Sequence, residues 1–175
     1  GSRGAALLAP YSDAPHTRGL LFYQNDAMLA KMEKAMKKGY QVNVHAIGDA
    51  GNRQILDGYK KLVGSTATAP LRHRMEHAQV VTMEDIARFK EIGIVPSMQP
   101  THATSDMNMA EDRVGPKRIK GAYAWRTFLK QGSKIACGSD FPVESPNPFY
   151  GIHAAVTRQD AAGRPDGGWY ANAAM

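Results

Sequence analysis

The sequence predicts an α/β fold built on parallel strands, and two observations lead there. Short apolar segments of strand character alternate along the chain with segments of helical period, and consecutive strands joined by a helix pair in parallel through right-handed crossovers. The 175 residues are 43% hydrophobic and 22% charged, which is the composition of a globular domain rather than a disordered chain. We therefore expect residues 1–175 to form one α/β unit.

The first elements are predicted as helix, strand and helix. Residues 26–38 carry a stripe of apolar side chains with lysines opposite, and Gly39 is placed to end that helix. The segment VNVHAIGD at 42–49 is short and rich in apolar residues, as a buried strand is. Residues 50–63 then return to helical period.

A polar link at 64–70 leads into a second predicted strand at 72–80. Thr82 and Asp85 resemble a capping box, with Asp in the place of the usual Glu, and the helix that they open stops at Gly93. The rest of the chain is predicted as a strand at 93–100, an irregular segment at 101–116, a helix at 117–131, a strand at 134–143 and a short helix near 148–158.

Two closed architectures offer this alternation, the doubly wound sheet and the (β/α)8 barrel. A doubly wound dinucleotide-binding sheet carries a glycine-rich fingerprint after a strand, whereas here only Gly48 precedes the helix start, with Gly51 just beyond. A complete barrel needs about 250 residues, and four βα units occupy nearly all of this chain. The pattern therefore predicts a partial (β/α)8 TIM-type barrel, about half of the ring.

Composition argues against several classes of partner. The net charge of +6 raises the question of nucleic acid, but the lysines are spread at helical spacing and form no long basic run, so no nucleic-acid partner is expected. No stretch approaches the roughly 20 apolar residues of a membrane span, so no membrane partner is expected either.

The single Cys137 excludes an internal disulfide. It fits a reducing compartment, and we expect a cytoplasmic protein unless an upstream signal peptide directs it elsewhere.

Polar side chains stand where the predicted strands end, and the active sites of barrels lie at that rim. The first strand brings His45, the second His77 and the fourth Asp140. The intervals between them, 32 and 63 residues, are close to one and two βα repeats, so the three side chains should stand at equal heights. Two imidazoles and one carboxylate that converge in this way are a ligand set for a divalent zinc- or iron-type metal.

The irregular segment at 101–116 is longer than most connections, and such segments tend to be functional or mobile. It contains His102 and Asp106. Both are candidates for substrate binding, and a solvated loop side chain is an equally open interpretation.

Four motifs follow one another at the spacing of βα repeats. They are VNVHAIGDAGNR (42–53), RHRMEHAQ (72–79), PSMQPTHATSDM (96–107) and GSDFPVESPNP (138–148). With them the chain resembles the amidohydrolase superfamily, and within it the amidohydrolase-3 or YtcJ-like branch, relatives of N-substituted formamide deformylases. The resemblance runs over nearly the whole chain, and it implies barrel strands 5–8 with their helices.

The resemblance also implies a mononuclear or binuclear metal site. His45 matches the histidine that ends strand five of the family, His77 the one that ends strand six, and Asp140 the aspartate that ends strand eight. In such enzymes this aspartate touches the metal and moves a proton from water to the leaving amine. The implied cofactor is a divalent metal, with zinc preferred and iron or manganese open, and the implied substrate is a small amide-type molecule.

The sequence departs from the family pattern by omission. The strand-one His-x-His and the bridging residue after strand four are absent, as is the small β-sandwich, so we expect the C-terminal half of the barrel with an incomplete site. The leading hypothesis is that the parent protein hydrolyses C–N bonds with a metal. The fragment alone is expected to be inactive, and whether it retains the metal stays open. The alternative is a non-catalytic fragment or binding module. In either case, exposed strand edges predict a homo-oligomer.

Overall fold

Four parallel strands form one sheet in the computed structural model, which describes residues 4–66 and 69–175. The order of the strands in the sheet is their order along the chain, and every neighbouring pair is parallel. The strands are β1 (Asn43–Ala46), β2 (Arg74–His77), β3 (Val95–Met98) and β4 (Ala136–Cys137). Because helices connect consecutive strands, the chain has the predicted α/β fold, a partial (β/α)8 barrel.

The register brings the carboxyl ends of the strands to one edge of the sheet. Ala46 pairs with His77 at the ends of β1 and β2, and Met98 pairs with Cys137 at the ends of β3 and β4. Residues that follow these positions therefore meet at one rim, as the repeat spacing predicted.

Seven α-helices connect and flank the strands within the described residues. They are α1 (Asn25–Lys37), α2 (Asp49–Thr66), α3 (Met83–Ile92), α4 (Pro100–Asp106), α5 (Ala110–Arg118), α6 (Trp125–Lys130) and α7 (Pro148–Thr157). Not one of these helices combines the length and apolar character that a membrane crossing demands.

The core lies between the sheet and the helices that cover its outer face. Tyr59 of α2 is completely buried, and its hydroxyl lies within hydrogen-bond distance of the carbonyl oxygens of Val42 (2.9 Å), just before β1, and of Arg74 (2.8 Å), at the start of β2. Phe89 of α3 meets Phe128 of α6 edge to face, with ring centroids 5.1 Å apart. Burying large side chains of this kind supplies most of the stabilisation of such a layer.

The predicted capping of α3 is confirmed. The Thr82 hydroxyl accepts a hydrogen bond from the backbone N–H of Asp85 (3.1 Å), and the helix ends at Gly93, whose φ of 82° is left-handed. The cap satisfies one of the backbone donors that a helix start leaves unpaired.

The strands are shorter than predicted, and at β2 and β4 the backbone leaves the extended conformation where the strand was expected to continue. His77 and Ala78 have φ values of 74° and 44°, and Asp140 has a φ of 57°. The predicted link at 64–70 is also shorter, since α2 runs to Thr66 and a 3-10 turn occupies Ala69–Leu71; residues 67–68 lie outside the described part of the chain.

The prediction of an irregular segment at 101–116 was wrong, since α4 and most of α5 occupy it. The single helix predicted at 117–131 was wrong as well. Here α5 ends at Arg118, a 3-10 turn covers Ile119–Gly121, and α6 begins only at Trp125. At this interruption the backbone passes close to the segment that precedes α3: a Cβ on Gly121 would lie 1.8 Å from the Val81 carbonyl oxygen, so only glycine fits there.

Candidate metal centre

Polar side chains at the ends of all four strands lie at one rim of the sheet. His45 lies on β1 one residue before the strand ends and is exposed, while His77 is the last residue of β2 and is buried. Gln99 caps α4 directly after β3, and Asp140 follows β4 by three residues. The structure therefore brings the three predicted ligands, His45, His77 and Asp140, to the same edge of the sheet.

His45 and His77 are in direct contact. Their ring centroids are 4.4 Å apart, and the rings meet edge to face at 75°. The register alone would place the two side chains on opposite faces of the sheet, because His45 pairs with Glu76 and Ala46 with His77. The left-handed φ of 74° at His77 ends the regular alternation at this point, and the two rings meet there. The two side chains are thus neighbours at the rim, and their shared role in binding a metal stays a prediction.

Gln99 fixes the tautomer of His77. The Gln99 side-chain nitrogen points toward the Ser97 carbonyl oxygen (3.3 Å), so its Oε1 faces the His77 Nδ1 at 2.8 Å. Because an amide oxygen only accepts, Nδ1 carries the proton and Nε2 is left with its lone pair. Metal-binding histidines are oriented in this way by an acceptor on the other ring nitrogen.

His102 lies beside His77 in the first turn of α4. The two rings stack with centroids 5.8 Å apart and planes 17° from parallel, and the His102 Nε2 is 4.0 Å from the Asp140 Oδ2. One ligand atom each from His77, His102 and Asp140 lies within 4.8 Å of the other two. The sequence left His102 open between a substrate contact and a solvated loop side chain. The second interpretation was wrong, because the residue is buried, and its fixed position beside two predicted ligands was missed.

Burial lowers the pKa of all three imidazoles in this group. Partial burial is the main cause for His45, and the neighbouring His77 lowers its pKa further, while Asp140 acts in the opposite direction. Burial is also the main cause for His77 and for His102. A pKa below 6.5 leaves the rings neutral at neutral pH, which is the form that binds a metal.

Asp140 stands in a tight turn at the open end of β4. Its backbone carbonyl accepts from the N–H of Val143 (2.8 Å), and its side chain is 42% exposed. A Cβ on the preceding Gly138 would meet nothing within 4 Å, so the space below Asp140 is open. The carboxylate is therefore both accessible to a small molecule and adjacent to His102.

Asp106 lies outside the group that surrounds His77. Its Oδ2 accepts from the side-chain nitrogen of Gln79 (2.9 Å) and from the Tyr123 hydroxyl, and the residue is 4% exposed. Burial, followed by the charge of Asp106, raises the pKa of Tyr123 well above 10. These contacts connect α4 to the end of β2 and to the turn before α6. Contact with substrate stays a prediction for Asp106.

The donor set fits a divalent transition metal. Two of its nitrogens belong to neutral imidazoles, one with its tautomer fixed by Gln99, and the Nε2 of His102 is buried without a hydrogen-bond partner among the described residues. Imidazole and carboxylate together suit zinc, iron or manganese. A buried nitrogen that has no protein partner is what a site for an external ligand provides.

Comparisons with known proteins agree with this geometry. A family model described as "Amidohydrolase family" (Amidohydro_3) matches residues 1–171. The chain is 37% identical over 162 residues to YtcJ of Bacillus subtilis (strain 168), whose name assigns it to the amidohydrolases, and 35% identical over 159 residues to the protein LONG AFTER FAR-RED 3 of Arabidopsis thaliana. These alignments cover 92% and 90% of this chain but only 30% and 27% of the relatives. The chain therefore spans less than a third of their length.

A solved structure is similar as well. An uncharacterized metal-dependent hydrolase from Pyrococcus horikoshii OT3 superposes with a TM-score of 0.80 at 33% sequence identity. The similarity covers 90% of this chain and 32% of that protein.

Proposed function

Because the chain belongs to the amidohydrolase-3 family of amidohydrolases, we propose that the whole protein is a metal-dependent hydrolase that cleaves the C–N bond of an amide, a formamide or a cyclic amide. One observation supports this most: His45, His77, His102 and Asp140 meet at the carboxyl ends of four successive strands. That rim is where barrel enzymes carry their active sites.

In this proposal His45, His77 and Asp140 hold a divalent metal, and we favour zinc. The bound metal supplies Lewis acidity, which lowers the pKa of water and polarises a carbonyl group. His77 offers Nε2 because Gln99 holds the proton on Nδ1. The Asp140 carboxylate takes a proton from the attacking water and returns it to the leaving nitrogen. Its partial exposure lets it reach both groups.

The test uses the full-length protein with a panel of N-formyl, N-acyl and cyclic amide compounds. We expect Asp140→Asn to lower kcat by about 10²–10⁴-fold, the effect of losing a general acid–base group. Asp26→Asn in the first turn of α1, an exposed carboxylate outside the four motifs, is the matched control and should leave kcat unchanged. An Asp140→Asn protein as active as wild type would refute the assignment of Asp140.

The 175-residue chain by itself should show little or no turnover. The His-x-His motif of the family's first strand does not occur in it, so a metal would lack part of its expected ligand set. Robust hydrolysis by the pure chain, loaded with zinc, would contradict this expectation.

A second candidate function is self-association, and the two outer edges of the sheet favour it. A cavity of about 700 Å³ is lined by residues 42–48, which include all of β1, and by the exposed Phe22. At the opposite end of the sheet, another of about 460 Å³ borders Cys137 and Ile152. Apolar surfaces of this kind mark interfaces, and unpaired strand edges invite pairing. We propose that the isolated chain buries them against a second copy, as a two-fold dimer.

Light scattering over a range of concentrations tests the dimer. We expect a mass twice that of the 19.0 kDa chain, and Phe22→Lys should shift it toward the single-chain value because a lysine cannot remain desolvated in an apolar contact. A mass of one chain at every concentration would rule out the dimer and leave the hydrolase proposal intact.

A further inference from the structure

His102 occupies an unusual position for a histidine. It lies in the first turn of α4, directly after Pro100 has opened the helix, and its backbone N–H donates to the Gln99 carbonyl oxygen (3.0 Å). The residue is only 5% exposed, yet its Nε2 has no hydrogen-bond partner within the described residues. Buried polar atoms are normally satisfied, so an unpaired one points to a ligand that completes it.

The surroundings of this nitrogen are those of a metal site. The Asp140 Oδ2 is 4.0 Å away, and the His77 ring is stacked alongside. In a tetrahedral site with ligands at about 2.0–2.1 Å from zinc, two ligand atoms are about 3.4 Å apart. The ligand atoms of His77, His102 and Asp140 already lie within 4.8 Å of one another. Small side-chain rotations bring them to the required separation.

The local backbone holds the three side chains in place. Gln99 caps α4 and at the same time accepts from the His77 Nδ1, so one residue links the orientation of His77 to the start of the helix that carries His102. Four residues after His102, Asp106 is anchored by Gln79 and Tyr123. The helix is thus fixed at both ends, and His102 is preorganised toward Asp140.

We infer that His102 is a third protein ligand, and that this chain alone binds one divalent transition-metal ion through His77, His102 and Asp140. The inference extends the proposed function, which assigns His102 no contact with the metal. The site leaves a fourth position open, as catalytic zinc sites with three protein ligands do. His45, which touches His77 but is absent from this three-residue group, contributes less to binding by the isolated chain.

The experiment titrates the purified 175-residue chain with Co²⁺, whose visible absorption reports ligand number and geometry, and with Zn²⁺ in competition. We expect each chain to bind one ion, and we expect the visible absorption of the bound Co²⁺ to indicate a low coordination number. His102→Gln should weaken binding by at least about 10-fold, the lower end of what even an indirect partner of a metal contributes. His16→Gln, an exposed histidine in a loop, is the control and should bind as wild type does.

A second variant separates ligation from packing. His102→Cys retains a ligand atom, so it should keep cobalt binding and add a sulfur-to-cobalt charge-transfer band that neither wild type nor His102→Gln shows. Circular dichroism establishes that each variant is folded. A folded His102→Cys chain without that band, or a His102→Gln chain with wild-type affinity, overturns the inference, as does a chain that binds no cobalt. If instead only His45→Gln weakens binding, His102 is not a ligand and the proposed set of His45, His77 and Asp140 stands.

Discussion

The buried carboxylate of Asp106 offers a prediction whose magnitude follows from the contacts. A single oxygen, Oδ2, accepts from both the Gln79 side chain and the Tyr123 hydroxyl, and all three groups are buried. Asp106→Leu removes that oxygen and leaves the Gln79 side-chain nitrogen and the Tyr123 hydroxyl without their acceptor. Each donor left without its acceptor costs about 1–3 kcal/mol, so the free energy of unfolding should fall by about 2–6 kcal/mol. For a chain of this length, the Tm falls by about 2–4 °C for each kcal/mol.

Asp106→Asn distinguishes the lost oxygen from the lost charge. The asparagine oxygen can take the place of Oδ2 and accept from both donors, so we expect a loss of only about 1 kcal/mol from weaker, uncharged hydrogen bonds. Asp112→Leu, an exposed aspartate on α5, is the matched control and should change stability by no more than about 0.5 kcal/mol.

The assay is urea unfolding of the purified variants at one protein concentration, followed by circular dichroism. Tyr123→Phe adds a check, because the double variant Asp106→Leu/Tyr123→Phe should lose less than the sum of the single losses when the two groups share one contact. If Asp106→Leu unfolds at the same urea concentration as Asp112→Leu, the reasoning that this contact holds α4 in place is wrong.

Two further predictions concern the metal and pH. Gln99→Met removes the acceptor of the His77 Nδ1 proton and should lower metal affinity by about 10–100-fold, whereas Gln99→Glu keeps an acceptor and should stay near wild type; equal affinities in a chelator competition would argue against the tautomer assignment. His73 accepts from the Val42 N–H (2.9 Å), and burial lowers its pKa. Since the unfolded chain binds that proton from about pH 6.5 downward, stability is full above about pH 6.5 and declines below it. His73→Gln should make the free energy of unfolding less sensitive to acid below about pH 6.5. An unchanged slope of this free energy against pH would exclude His73 as a cause.

The sequence was sufficient for a structural prediction where a single repeating pattern, the spacing of βα units, determined the structure. Apolar segments at βα spacing predicted the parallel sheet. The intervals of 32 and 63 residues between His45, His77 and Asp140, close to one and two βα repeats, predicted that these residues meet at one rim. Both predictions depend on repeat geometry, which a chain displays along its length.

The helices after β3 could not be found in the same way. α4 buries His102 and Asp106 on its inner side, so it has no apolar stripe and reads as a polar loop. The break before α6 coincides with the close approach of Gly121 to the Val81 carbonyl oxygen, a contact between segments 40 residues apart. The tautomer of His77 likewise depends on Gln99, which is 22 residues away. Contacts of this range leave no trace in local periodicity.

The left-handed backbone at Asp140 sets stability against the proposed function at one position. With a φ of 57°, this residue occupies a region where glycine is at ease and a side chain costs about 1–3 kcal/mol. The Asp140 side chain is 42% exposed, so its removal loses little packing. A laboratory selection for thermal stability alone would therefore favour Asp140→Gly, and it would remove a residue of the proposed metal centre as it succeeded. His77 also has a left-handed φ, of 74°, but it is buried, and the cavity left by His77→Gly would offset the gain. Stabilised variants of this chain are best sought with the Asp140 codon held constant.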